Sequence, residues 1–212
     1  MKLTAGCPLC NSNAALYHEL NHKRYYKCKT CCSIFLDPLH YLPGDEEKAR
    51  YEQHNNDVND PGYQKFVLPI VTEITRRFKK LDEGLDFGAG PGPVIKKLLE
   101  DRGFSVELYD PYFWNNAEVL KRKYDYIICC EVIEHFQSPK KEFALLKSLL
   151  KPGGVLYCKT EIYSEDLDFK KWYYKNDPTH VFFYQEKTLQ WIQEHFHFSN
   201  LNIKGRVVIF FN

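Results

Sequence analysis

The sequence has no long apolar run. No stretch approaches the ~18 apolar residues that a membrane-spanning helix needs. Met1-Lys2-Leu3-Thr4-Ala5-Gly6 is not followed by the apolar core of a secretory leader. A membrane partner is therefore not expected, and a cytoplasmic location is. There is also no excess of one charge: 29 Lys and Arg stand against 28 Asp and Glu, a net charge of +1. Such a balance exerts no global pull toward nucleic acid or lipid. No internal repeat and no low-complexity tract interrupts the chain.

What is present is the material of a folded core. Hydrophobic residues make up 44% of the 212 and charged residues 27%, proportions that exclude disorder. The length suits one ordinary domain plus a small appendage. Fifteen Tyr, fifteen Phe and three Trp serve burial first, and can also wall a pocket. Eight Cys in a reducing compartment point to metal binding before disulfides.

Residues 1–36 form a cysteine module. Cys7-Pro8-Leu9-Cys10 is followed after seventeen residues by Cys28-Lys29-Thr30-Cys31, the spacing of a zinc ribbon. Four thiolates complete a tetrahedron around Zn and leave no open position, so the role is structural. Cys32, His18 and His22 are neighbouring candidates for the same ion. Ala15 to Leu20 and Arg24 to Cys28 read as a hairpin around Asn21-His22-Lys23. Lys2, Lys23, Arg24, Lys27 and Lys29 stand against Glu19 alone, a local excess that suits an anionic partner. Cys129, Cys130 and Cys158 fall in apolar runs and read as small core residues.

Residues 37–80 read as a linker and a helical cap. Asp45 is placed to cap a helix ending near Asn55-Asn56. A second helix opens at Asp60-Pro61, runs through Phe78 on helical spacing, and bends at Pro69. Residues 81–212 alternate strand and helix: strands at Gly84 to Phe87, Ser105 to Tyr109, Tyr124 to Cys130 and Val155 to Thr160, with helices at Pro93 to Glu100, Ser138 to Leu150 and Glu186 to Phe196. Lys151-Pro152-Gly153-Gly154 ends the second of these helices. Leu201 to Lys204 and Arg206 to Phe211 close the chain as an antiparallel pair. This order predicts an α/β fold, a parallel sheet with helices on both faces. Ligands then sit beyond the C-terminal ends of the strands.

Leu85-Asp86-Phe87-Gly88-Ala89-Gly90-Pro91-Gly92-Pro93 joins the first of these strands to its helix. Glycines there allow a sharp turn and a close ligand, although a bare Gly-x-Gly also serves tight packing. The next strand ends in Tyr109-Asp110, a carboxylate placed to accept from ribose hydroxyls. LDFGAGPG, ELYD, YDYIICCEVIEHFQSP and LLKPGGVL follow in that order between residue 84 and about residue 160. Through these stretches the chain resembles a class I S-adenosylmethionine (SAM)-dependent methyltransferase, of the branch that includes the ubiquinone-biosynthesis O-methyltransferases. The cysteine head, EKARYEQHNND and YYKNDPTHVFF resemble stretches of a group of small bacterial proteins in that branch. The resemblance implies a Rossmann-like sheet and SAM as cofactor. It places Asp86, Gly88, Ala89 and Gly90 at the methionine end, Asp110, Pro111 and Tyr112 at the nucleoside, and Glu131 and Val132 beneath the sulfonium.

One departure matters. Thirteen residues separate Asp110 from Tyr124, too few for the usual helix, third strand and loop. The third strand is expected to be missing or reduced, with adenine stacked on Tyr112, Phe113 or Trp114 instead. An oxygen or nitrogen acceptor needs a base, and the candidates are His180, His54 and His135. Asp177 is placed to orient His180. The expected function is methylation of a small-molecule metabolite. Two alternatives stand beside it: an RNA methyltransferase gripping phosphates with the basic ribbon, as some ribosomal-RNA methyltransferases carry an N-terminal zinc module, and a SAM-binding scaffold whose ribbon docks proteins. No residue pattern specifies an oligomeric state.

Overall fold

The computed structural model describes residues 4–54 and 57–212. Lys2 and the expected helix end at Asn55-Asn56 lie outside the described residues. The chain folds around two sheets.

The first sheet has five strands: β1 (Thr4–Gly6), β2 (Asn13–Leu20), β3 (Lys23–Cys28), β4 (Ile34–Leu36) and β9 (Phe182–Phe183). They pair antiparallel in the order β1-β2-β3-β4-β9. The hairpin expected between the cysteine pairs is β2–β3. Its two-residue turn places Asn21 and His22 at φ 49° and 65°, the left-handed pair that matches strand twist. The sheet does not stop at residue 36, because its edge strand β9 comes from far downstream.

The second sheet has six strands in the order β10-β11-β8-β7-β5-β6. β5 (Glu83–Phe87), β6 (Ser105–Tyr109), β7 (Tyr124–Cys130) and β8 (Leu150–Lys159) run parallel. β10 (Asn200–Lys204) and β11 (Val207–Phe211) form the expected terminal pair, with β11 antiparallel to β8. From Tyr126 on, β7 alternates its side chains between two cores, as strand pleating requires, while Tyr124 lies before a register shift. Tyr124, Ile127 and Cys129 join one core, Tyr126 and Ile128 the other. The second core is covered by α2 (Pro61–Arg77) and α3 (Val94–Glu100). The first is covered by α4 (Pro139–Ser148) and α5 (Glu186–His195), and it continues without a break into Tyr26, Phe35 and Leu9 of the cysteine sheet.

Local chemistry sets the element ends. Asp60 caps α2, accepting from the Tyr63 amide at 2.6 Å, with Pro61 next in line. Pro69 lies inside that helix on an exposed face. α1 (Gly44–Glu52) starts ahead of Asp45, so Asp45 is a first-turn acid and not the cap. β8 begins at Leu150, earlier than expected, and takes Lys151-Pro152-Gly153-Gly154 into the strand. A register shift opposite Tyr124 and Tyr126 absorbs the irregularity.

The shortened connection behaves as its length requires. Between Asp110 and Tyr124 there is one 3-10 turn, Ala117–Lys121, and a single bridge from Asp110 to Trp114. β6 is therefore the edge of the second sheet. Among the described residues, no helix is long and apolar enough to cross a membrane.

Candidate active site and four-cysteine centre

A cavity of about 760 Å³ opens beyond the C-terminal ends of β5, β6 and β7, where parallel sheets place their ligands. Its size is that of a small-molecule site. One wall is the glycine loop. Gly88, at φ +78°, lies so close to Val132 that a Cβ on it would stand 2.6 Å from Val132 Cγ2. Gly90, at φ +61°, borders open space. Trp114 pins this loop, its indole N–H donating to the Gly90 carbonyl at 2.7 Å.

Asp110 organises the second wall. Its Oδ2 accepts from the Gly90 amide at 3.0 Å, and its Oδ1 accepts from the Tyr112 and Phe113 amides at 2.8 and 3.1 Å. A carboxylate offers about four acceptor positions, so one remains on Oδ2. Tyr112 and Phe113 line the cavity and Trp114 does not. Asp86 is also not among the lining residues. It is 4% exposed, and burial, with repulsion from Asp110, pushes its carboxyl up to about 7.

The third wall follows β7. Glu131 sits at φ +52°, strained for a residue with a side chain. Arg206 Nη2 donates to both of its oxygens, at 2.8 and 2.7 Å, and the Tyr174 hydroxyl to Oε2 at 3.0 Å. Burial raises the Glu131 carboxyl against the pull of Arg206. Glu134 is fully buried, shares a short hydrogen bond with Tyr174, and leaves Oε2 without a partner. Burial and the nearby Glu131 push its carboxyl up to about 8.

His135 and His180 meet here with ring centroids 4.8 Å apart. Nδ1 of His135 lies 2.9 Å from the Thr179 carbonyl, and Nδ1 of His180 lies 2.6 Å from the Tyr174 carbonyl. A carbonyl only accepts, so both rings carry their proton on Nδ1 and present a bare Nε2. Burial lowers His135 to about 3 and His180 to about 4. Nε2 of His180 is 4.0 Å from Glu134 Oε1. Ligand atoms of Glu134, His135 and His180 all fall within 4.8 Å of one another.

α1 forms the roof. Glu47 accepts from the Tyr51 and Tyr112 hydroxyls at 2.6 and 2.9 Å. Arg50 pairs with Asp177 at 2.7 Å, and His54 Nε2 lies 3.7 Å from the same carboxylate. Burial opposes the charge on Asp177, but hydrogen bonds from His54 and Thr179 hold its carboxyl well below the ordinary range. Asp177 therefore meets His54 and Arg50 directly, while the Nδ1 of His180 goes to Tyr174.

Of the residues singled out in the sequence, the fold gathers Gly88, Ala89, Gly90, Asp110, Pro111, Tyr112, Glu131, Val132, His54, His135 and His180 around one cavity. Arg206, Tyr174 and Glu47 were not singled out. Their partners lie 75, 43 and 65 residues away, and no local pattern marks them.

Cys7, Cys10, Cys28 and Cys31 gather separately, with ligand atoms within 4.8 Å of one another. Cys7 Sγ is 3.5 Å from Cys31 Sγ, and Cys10 Sγ 3.4 Å from Cys28 Sγ. The two halves are built alike. Cys7 N–H donates to Ser12 and Cys28 N–H to Ser33, each at 2.9 Å. Asn11 and Cys32, each next after a pair, are left-handed at φ 62° and 59°. Cys32 Sγ stays outside the group, as do His18 and His22.

This sheet order, with a glycine loop and an acidic β6 terminus facing one cavity, defines a class I SAM-dependent methyltransferase fold. The family model described as a methyltransferase domain matches residues 54–203, and the chain belongs to that family. A ubiquinone biosynthesis O-methyltransferase of Actinobacillus pleuropneumoniae is 30% identical over 95 residues, 43% of this chain and 41% of that protein. The chain thus aligns with about two fifths of the length of that curated relative. Human N-acetylserotonin methyltransferase in complex with SAM superposes with a TM-score of 0.56 at 12% identity, over 81% of this chain and 60% of that one. A SAM-dependent methyltransferase from Archaeoglobus fulgidus gives 0.52 at 20% identity, over 66% and 71%. These two likenesses establish the fold.

Proposed function

We propose that this chain methylates an oxygen or nitrogen atom of a small molecule, using SAM. The observation that carries the reading is that one cavity joins the glycine loop and Asp110 to the bare Nε2 atoms of His135 and His180. The cofactor supplies an electrophilic methyl group. Gly88, Ala89 and Gly90 let it approach the backbone, and the free position on Asp110 Oδ2 accepts one ribose hydroxyl. Tyr112 and Phe113 offer ring faces to adenine in place of the absent third strand. Pro111, Val132 and Glu131 complete the floor.

The remaining space lies against His135 and His180. An acceptor hydroxyl there would give its proton to Nε2 as it takes up the methyl group that bound SAM would supply. Both imidazoles are neutral at physiological pH, so no proton has to leave first. The rest of the acceleration comes from alignment within the cavity.

A small acceptor is favoured over RNA by two of the ribbon's cations, which already have carboxylate partners. Arg24 pairs with Asp37 at 3.0 Å and Lys27 with Glu165 at 2.5 Å. The four-cysteine centre suits zinc: bonds of ~2.3 Å in a tetrahedron put the sulfurs about 3.8 Å apart, and the thiols are already gathered.

A second reading of the acceptor end has its own observation. Two imidazoles with Nδ1 bound to backbone carbonyls, beside an unpartnered carboxylate oxygen, make a donor set for a divalent cation. There it would acidify the acceptor hydroxyl.

The test is calorimetry with SAM followed by turnover on a panel of hydroxylated acceptors, with and without a chelator. Binding in the micromolar range is expected. His180→Gln should cut kcat by roughly 10²-fold and leave SAM affinity unchanged. No SAM binding would reject the reading. Binding without turnover on any acceptor would leave the scaffold.

A further inference from the structure

The cavity and the four-cysteine centre are joined by one short segment. His180 lines the cavity, and β9 begins two residues after it. β9 is the edge strand of the cysteine sheet, with Phe35 opposite Phe182 and Ile34 opposite Phe183. Between them Val181 is tied on both sides. Its amide donates to the Glu134 carbonyl at 2.9 Å, and its carbonyl accepts from the Leu36 amide at 2.9 Å. His180 is thus the residue next to a backbone clamp, one jaw of which is β4.

β4 in turn is an extension of the second cysteine knuckle. It starts three residues after Cys31, and the Cys28 amide is bonded to Ser33 at 2.9 Å. Ile34, Phe35 and Leu36 are at most 1% exposed. An independent module would have to solvate or cover that edge itself. The two cysteine knuckles themselves are short turns, and a bound metal would fix them where apolar burial alone is small.

We infer that the four-cysteine sheet braces the acceptor site from behind, and that filling of the Cys7, Cys10, Cys28 and Cys31 centre by zinc positions His180. The inference rests on the reading that His180 belongs to the acceptor site. The physical path is short: zinc fixes the Cys28–Cys31 knuckle, the knuckle fixes β4, β4 holds Val181, and Val181 sets where the His180 ring enters the cavity. The glycine loop and Asp110 stand on β5 and β6 and are not on this path, so SAM binding should not depend on it.

The experiment compares zinc-loaded full-length protein, the same protein stripped with a thiol-directed mercurial and chelator and then reduced, and the variant Leu36→Pro with zinc retained. Leu36→Pro deletes the one amide that reaches Val181 and leaves all four thiols in place. Hydrogen exchange is read at residues 177–183 and 88–92, the His180 tautomer from its ring nitrogen NMR shifts, and SAM affinity by calorimetry. Stripped protein and Leu36→Pro should both exchange at Val181 roughly tenfold or more faster. His180 should lose its single Nδ1–H signature, and SAM affinity should stay within about twofold. Restoring zinc should reverse the change in stripped protein only. Unchanged exchange and tautomer after stripping would overturn the inference, and so would loss of SAM binding along with them, since that is general unfolding. If Leu36→Pro does not fold, the stripped and re-zinced wild type decides alone. His180→Ala in zinc-loaded protein tests the other reading: full turnover there removes the base role while the link from zinc to His180 stands.

Discussion

The Arg206 guanidinium reaches from the terminal hairpin to both oxygens of Glu131, at 2.8 and 2.7 Å, and so fixes a side chain whose backbone is left-handed at φ +52°. The same guanidinium lies 3.1 Å from Glu161. Without it Glu131 would be a half-buried acid beside Glu134 with no cation at its oxygens. Arg206→Met should cost about 1–3 kcal/mol in urea unfolding, at the low end because the pair is partly exposed. Arg206→Lys should restore only part, since one ammonium does not match two carboxylate oxygens. Equal stability of Arg206→Met and wild type would show that the strain at Glu131 is held by something else.

The Gly88–Val132 contact tests the cofactor wall. Gly88→Ala puts a Cβ 2.6 Å from Val132 Cγ2 and leaves alanine at φ +78°. SAM affinity should fall by at least about tenfold, near 1.4 kcal/mol. Adding Val132→Ala relieves the collision but not the backbone strain, so recovery should be partial. Gly90→Ala meets no protein atom within 4 Å, but it borders the cavity and would add a methyl where the cofactor approaches, so Val132→Ala should not rescue it. Calorimetry on these variants separates the effects, and no recovery of Gly88→Ala by Val132→Ala would contradict the packing account.

Much of this arrangement was legible in the sequence. Strand and helix order, the missing third strand and the glycine loop all follow from local runs and spacings, whereas the 3-10 turn in its place does not. β9 was not legible. Phe182-Phe183 is two residues long, and only its pairing with Ile34 and Phe35 makes it a strand. Arg206 and Tyr174 escaped for the same reason, since their role is set by partners far along the chain. Asp110 shows a subtler gap. The motif names the carboxylate, but three of its acceptor positions serve the amides of Gly90, Tyr112 and Phe113, which no motif reveals.

Those three amides make Asp110 a loop organiser as much as a ligand. Asp110→Asn keeps one carbonyl oxygen but turns an acceptor into a donor facing the Gly90 amide or the Tyr112 and Phe113 amides. It should therefore weaken SAM nearly as much as Asp110→Ala, by roughly 1–3 kcal/mol. If ribose contact alone mattered, Asp110→Asn would retain most of the affinity. The amide shifts of Gly90, Tyr112 and Phe113 in the cofactor-free protein separate the two cases. Displacement of all three in Asp110→Asn is expected, and unmoved shifts would confine the residue to ligand contact.

Asp86 gives the protein a dependence on pH. Its carboxyl is pushed up to about 7 by burial and by Asp110, above the ~3.9 of an unfolded aspartate. The folded state therefore holds this proton more tightly than the unfolded state. Stability from this group is fully present below about pH 4 and is lost as pH rises toward 7, by up to ~4 kcal/mol. Asp86→Asn keeps the shape and removes the titration. In urea unfolding at pH 5 and pH 8, the wild type should lose more stability between the two than Asp86→Asn does, and the variant should be the more stable of the pair at pH 8. Parallel losses in both proteins would mean that Asp86 is already ionised in the fold, with a cation or solvent offsetting its burial.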